Sequence, residues 1–210
     1  MEFFRRTAGQ ARRLGVFPGS FHPPTRAHLA LARAALNIVD ELLFVLPRHF
    51  PHKGWEGVGF EDRARMLEAA AGEEARFSVA ASQNGLFIEI ARECRQAYGP
   101  KPELYFLCGR DAAERAVSWD YGRPGAFAEQ LREYQLLVAP RRGIYVPPEE
   151  LRGRIHTLDM EDDYDELSSS EVRRRIASGE AWQRLVPEAI VGLVRESFRG
   201  SVVKGNTRLS

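Results

Sequence analysis

The sequence predicts an α/β protein built on a doubly wound parallel sheet. Two observations carry this. Short continuous apolar runs alternate with Ala/Leu-rich or amphipathic stretches along most of the chain, and each conspicuous polar motif follows directly on one of those runs. Alternating β and α segments place helices on both faces of a parallel sheet, and ligands in such folds lie beyond the carboxyl ends of the strands. A length of 210 residues suits one such domain with at most a small appendage.

In chain order, residues 1–13 are polar and read as an N-terminal arm or short helix. The main domain spans 14–199. Its first strand is Leu14–Phe17, followed by a helix from Thr25 to Leu36. Glu41–Pro47 is apolar without alternation and is stopped by proline, as expected of a strand covered on both faces. Strand, helix and strand within about thirty residues make a βαβ unit with a right-handed crossover. The pattern continues with a helix over Phe60–Ala71, a strand over Arg76–Ala80 and a helix over Leu86–Tyr98. Strands follow at Glu103–Cys108, at Gln135–Ala139 after a helical piece near Ala126–Arg132, and at Arg154–Leu158. From about 168 the chain becomes helical, over Ser168–Ser178 and Pro187–Phe198, and a polar tail, 200–210, reads as mobile.

Composition narrows the function classes. The formal net charge of +1 gives no bulk sign of a nucleic-acid binder, so any anion site must come from local placement of charge. Cys94 and Cys108 have neither metal-ligand spacing nor a disulfide framework, which fits a reducing cytoplasm. No apolar run approaches membrane-spanning length, and Met1–Arg13 lacks the apolar stretch of a secretory signal. The expectation is a soluble cytoplasmic protein without nucleic-acid or membrane partners, with homo-oligomer formation left open.

Four motifs could carry chemistry. The first is Leu14-Gly-Val-Phe-Pro-Gly-Ser-Phe-His-Pro-Pro-Thr-Arg-Ala-His28, a strand, a Gly/Pro loop and a helix start. Helix N-termini offer unpaired N–H groups and a positive dipole end to phosphates. Gly19 allows close backbone approach, and Thr25 and His28 share a helix face, where an imidazole could stabilise charge developing during phosphoryl or nucleotidyl transfer. A lone histidine at such a place is more often a satisfied structural one. The second motif is Ser168-Ser-Ser-Glu-Val-Arg173, a capping box with three hydroxyls and a cation one turn on, which reads as a polyphosphate clasp or as a capped basic surface helix. The third is Gly109-Arg-Asp111 at a strand end with Trp119 beyond it: a ribose acceptor and a stacking ring, or a turn aspartate and a packing tryptophan. The fourth is Pro47-Arg-His-Phe-Pro-His-Lys53. His49 and His52 without a third ligand do not make a metal site, and Lys53 fits an anion or an ordinary exposed loop.

Together these residues resemble the HxGH-type nucleotidylyltransferase superfamily, and within it the nicotinate/nicotinamide mononucleotide adenylyltransferases. Gly19–His28 resembles G-[ST]-F-[DN]-P-x-[HT]-x-x-H, Arg63-Ala-Arg-Met-Leu67 resembles R-x-x-M-L, and Ser168–Arg173 is similar to I-S-[SA]-T-x-x-R. Phe50-Pro-His-Lys53, Gly109-Arg-Asp111 with Trp119, and Gly179-Glu…Leu185-Val-Pro187 match further segments in the same order. The resemblance implies a Rossmann-like nucleotidylyltransferase fold with a small C-terminal helical part. It implies AMP transfer from ATP to a pyridine mononucleotide, with Mg²⁺ brought by ATP and no metal held by the protein alone. His28, Thr25 and Arg173 would be catalytic. Gly19, Ser20, Phe21, His22, Lys53, Gly109, Asp111, Ser168, Ser169 and Ser170 would bind ATP and its phosphates, and Trp119 and Phe87 the acceptor. The chain departs from the pattern at His22 (usually Asp or Asn), Thr25 (often His), Ala27 (often Gly) and Asn84-Gly-Leu-Phe87, where bacterial relatives carry a polar stretch. These departures keep two alternatives in view: another acceptor, as in cytidylyl or pantetheine-phosphate transferases, and a non-catalytic nucleotide-binding protein.

Overall fold

Strand β2 (Arg13–Pro18) lies at the centre of the sheet, where the direction of winding reverses. The computed structural model describes residues 1–49, 57–140, 143, 145–160 and 167–203. Among them the strands are β1 (Glu2–Arg5), β2, β3 (Glu41–Pro47), β4 (Phe77–Ser82), β5 (Glu103–Gly109), β6 (Gln135–Ala139) and β7 (Ile155–Thr157). They form a seven-stranded sheet in the order β1-β4-β3-β2-β5-β6-β7. Every pair is parallel except β1 with β4. Val16 of β2 faces Leu43 on one side and Phe106 on the other. The chain winds outward from β2 through β3 to β4, then returns to β5 on the opposite side. The loops after β2 and β5 therefore diverge and open a crevice at their carboxyl ends.

The helices are α1 (Arg26–Ala35), α2 (Phe60–Ala71), α3 (Phe87–Tyr98), α4 (Arg110–Ser118), α5 (Ala126–Gln130), α6 (Ser169–Ser178) and α7 (Val191–Val203). Side chains alternate along β3, which explains its unbroken apolar run. Leu42, Phe44 and Leu46 join one core with Leu29, Leu67 and, from the C-terminal helical part, Val172 and Val194. Leu43 and Val45 join a second core with Ile90, Phe106 and Tyr134. Both cysteines are buried in this second core, and burial pushes each thiol up to about 12. No helix of the described residues is long and apolar enough to cross a membrane.

Three expectations change. Residues 2–5 are an edge strand rather than a loose arm or short helix. Phe3 and Phe4 point to opposite faces, Phe3 meeting Tyr98 (5.8 Å) and Phe4 meeting Phe60 (6.3 Å), and the N-terminal ammonium lies 3.3 Å from Glu93. The stretch after Gly109, for which the sequence predicts no helix, is the helix α4; its apolar stripe of Ala112, Ala113, Ala116 and Val117 is short and made of small side chains. Other helix bounds shift by at most two residues, except that the last helix starts at Val191 after a short 3-10 turn and runs to Val203, so 200–203, expected in the mobile tail, are helical. The polar tail, as far as 204–210 are concerned, lies outside the described residues.

Candidate active site

The crevice at the winding reversal is a cleft of about 530 Å³. It is lined by the end of β2 and the loop after it, the start of α1, Gly109 and Arg115, the end of β6, Met160 beyond β7, and the start of α6. Its described lining holds two arginines, Arg115 and Arg173, one histidine, His28, and no carboxylate. Three of the four sequence motifs meet here.

His28 is placed by the cap of its own helix. Thr25 is the N-cap; its hydroxyl accepts from the His28 backbone N–H (3.4 Å) and lies 2.7 Å from His28 Nδ1. The Thr25 backbone N–H donates to that same Nδ1 at 2.9 Å. Histidine thus fills the place that Glu or Gln takes in an ordinary capping box. Because a backbone N–H must donate, Nδ1 is an acceptor, and the proton of the neutral ring belongs on Nε2. Phe21 meets the imidazole edge-on at 5.2 Å and Phe17 at 5.9 Å, which fixes the ring plane. Thr25 is fully buried, so its hydroxyl serves His28 rather than solvent.

The loop between β2 and α1 is held from behind by its carbonyls. Arg63 of α2, only 2% exposed, donates from Nη1 to Ser20 O at 3.1 Å. Arg173 of α6 donates from Nη1 to His22 O at 2.8 Å, and the Ser169 hydroxyl donates to Pro23 O at 2.8 Å. Desolvation pushes the Arg63 guanidinium down to about 10 and lowers Arg173 from its ordinary value. Arg63 went unassigned in the sequence although it lies in the R-x-x-M-L segment. Its signal is a lone cation in the buried stripe of Arg63, Ala64, Met66, Leu67, Ala70 and Ala71.

Several expected roles are revised by these contacts. The Gly19 N–H donates to Val45 O (3.0 Å), so it is not a phosphate donor. Glycine stands there because the Phe21 ring folds over it, 2.9 Å from where a Cβ would lie. Phe21, at φ 42° and 1% exposed, gives its ring to the core and leaves only its backbone to the loop. The His22 ring is not part of the cleft lining. It turns away from the cleft, 7% exposed, accepts from the Val58 N–H at Nε2 (3.1 Å) and stacks on Phe198 at 5.1 Å. The His22–Pro23 peptide bond is cis.

At α6, Ser168 caps the helix by accepting from Glu171 N–H (3.1 Å), and Ser170 Oγ accepts from Arg173 Nη2 (3.1 Å). The reciprocal half of the predicted capping box is absent among the described residues, because the Glu171 carboxylate is taken by Arg174 and Arg175. Those two guanidinium groups hold that carboxyl at about 2.

Other expected residues stand apart. Gly109 lines the cleft, whereas Asp111 is exposed in the first turn of α4 and does not. Trp119, 53% exposed, borders a separate recess with Tyr121, Arg123 and Phe127. Phe87 is drawn onto the sheet by Phe106 (5.0 Å) and Tyr134 (6.2 Å) and is not part of the cleft lining. Phe50, His52 and Lys53 lie outside the described residues. Arg115 lines the cleft but carries no motif signal.

Residues 16–175 match the profile of the cytidylyltransferase-like family. A probable nicotinate-nucleotide adenylyltransferase of Solibacter usitatus (strain Ellin6076) is 33% identical over 193 residues, covering 88% of this chain and 97% of its own. A protein of the same description from Thermus thermophilus is 33% identical over 185 residues, covering 85% of this chain and 94% of its own. In fold, the chain is similar to a solved Plasmodium falciparum nicotinic acid mononucleotide adenylyltransferase complexed with NaAD. The TM-score is 0.68 at 16% identity, over 89% of this chain and 96% of that one. With the motif order, the fold and these relatives in agreement, the chain belongs to the cytidylyltransferase-like family and, within it, to the nicotinate-nucleotide adenylyltransferases.

Proposed function

We infer that the protein transfers AMP from ATP to nicotinate mononucleotide, forming the dinucleotide and pyrophosphate. The observation that carries the reading is the cleft, without a carboxylate in its described lining, in which His28, Arg173 and the serine-capped start of α6 meet at the winding reversal. A 5′-phosphate oxygen of the acceptor attacks the α-phosphorus of ATP in line. The new P–O bond forms as the bond to the bridging oxygen breaks, and pyrophosphate leaves. No covalent enzyme intermediate is needed, so the residues act by positioning and by stabilising charge.

His28 is assigned to donate from Nε2 to the α-phosphate as charge develops, its tautomer set by Thr25. The first N–H groups of α6, with Ser168, Ser169 and Ser170, are assigned to the ATP tail, and Arg173 braces them against the β2–α1 loop. Mg²⁺ is assigned to the phosphates it arrives with. Bound there, it would neutralise charge on the departing pyrophosphate. The pyridine is assigned to Trp119, whose exposed ring stands at the family spacing from Gly109. Support for the acceptor comes from the printed names of the relatives and from the family motifs this chain retains.

Pyrophosphate release with ATP, Mg²⁺ and each mononucleotide tests the reading. Turnover is expected with nicotinate mononucleotide ahead of the nicotinamide form. Turnover only with a non-pyridine acceptor would reassign the substrate, and ATP binding without turnover on any acceptor would reject the enzyme.

A further inference from the structure

We propose that Arg115 is a ligand-facing cation of the cleft, gripping phosphate oxygens of the bound nucleotide from the α4 side, opposite Arg173. The proposal rests on the nucleotide reading above and adds a residue outside every motif that led to it. Helix α4 leaves the sheet at Gly109, on the cleft side of the winding reversal. Arg115 sits in its second turn, and its side chain runs back toward the helix N-terminus, where Nε donates to Asp111 O at 3.2 Å. That bond anchors the base of the guanidinium and leaves its outer edge to face the cleft.

The pairing pattern separates Arg115 from the ion-paired surface arginines, although the exposed Arg26, Arg92 and Arg132 likewise form no ion pair among the described residues. Arg33, Arg110, Arg123 and Arg174 are each held by a carboxylate within 3 Å. Arg115 forms no ion pair among the described residues, and Nε is its one hydrogen-bonded nitrogen there. A solvated arginine on a convex surface would mean little. Arg115 instead lines the concave site that His28 and Arg173 also line. Arg173 has already committed both terminal nitrogens to His22 O and Ser170 Oγ. Arg115 thus offers the cleft an uncommitted guanidinium edge, a planar fork that matches two oxygens of a phosphate. The N-terminal end of α4, to which the side chain returns, adds potential of the same sign.

Calorimetric titration of wild type, Arg115→Gln and Arg115→Lys with ATP, adenosine and inorganic pyrophosphate tests the assignment. Arg115→Gln is expected to weaken ATP and pyrophosphate by about tenfold or more, the loss of a charge-assisted bidentate contact, while adenosine is unchanged. Arg115→Lys should fall between, since it keeps charge and loses the fork. Melting temperatures should coincide, because the side chain is exposed and supports no packing. In steady state KM for ATP should rise with kcat nearly kept. A rise confined to the acceptor's KM and its titrated affinity would place the contact on the acceptor phosphate instead of the triphosphate, still through Arg115. The proposal is overturned if Arg115→Gln binds ATP, pyrophosphate and acceptor like wild type, or if adenosine weakens as much as ATP. Failure of the functional reading would show separately, as wild type turning over no acceptor, with the pyrophosphate titration still deciding Arg115.

Discussion

His28 owes its orientation to the residue three positions before it, and in the reaction proposed above this would make it a preorganised donor. Its ring need not turn when charge appears, because Thr25 and Phe21 already hold it. His28→Ala is expected to lower kcat by about a hundredfold or more, as when one donor to a developing oxyanion is removed. KM for ATP should stay near wild type, whereas the melting temperature should fall because the buried Thr25 N–H loses its acceptor; rates at saturating substrates and thermal melts measure the two effects. A residue-by-residue reading of the sequence could name His28 and Arg173 because their spacing from helix starts is fixed by local geometry. It could not anticipate that Gly19 spends its N–H on Val45 or that the His22 ring faces Phe198. Those partners lie far along the chain, and only tertiary packing selects them.

Among the elements, α6 joins the two ends of the site. Ser168 caps it, Val172 buries its inner face in the core, and Ser169 and Arg173 reach the carbonyls of the β2–α1 loop. Ser168→Ala should cost about 1 kcal/mol of stability through the lost cap. ATP binding should weaken as the first turn frays, whereas Ser168→Asn should retain both; urea unfolding and ATP titration measure the two effects. The central strands were legible because burial on both faces leaves an unbroken apolar run, as in Glu41–Pro47. Strand β1 and helix α4 were not. Four residues are too few for a period to show, and the stripe of a nine-residue helix made of three alanines and Val117 is too short and too small to stand out.

At the scale of the whole molecule, the second core sets an alkaline boundary on stability. Burial raises the thiols of Cys94 and Cys108 from 9.0 to about 12, and it raises Tyr98 and Tyr134 as well. A folded-state value above the unfolded one means the folded form keeps its proton longer. The stability so gained is whole below the unfolded value and is lost as pH rises through the folded one. Melting temperature should therefore fall as pH is raised from about 9 toward 12. Each buried thiol contributes a slope of up to ~1.4 kcal/mol per pH unit. Cys108→Ala should give a shallower fall in thermal melts across that range. The site as a whole was legible further than its parts: the doubly wound pattern alone places every strand-end motif on one rim. Which of them share a cleft depends on strand order, and that order puts Trp119 and Phe87 outside the lining.

The near-collision between residues 22 and 57 ties two distant positions into one unit of inheritance. Gly57 sits at φ +116°, and a Cβ built on it would lie 2.3 Å from His22 Cε1. With histidine at 22, a side chain at position 57 is disfavoured on two counts, backbone strain and the shift it would force on the His22 ring. With the smaller Asp or Asn of the family pattern, only the backbone count remains. The histidine that departs from its family thus brings its own epistasis, narrowing what the segment before α2 can become in any descendant that keeps it.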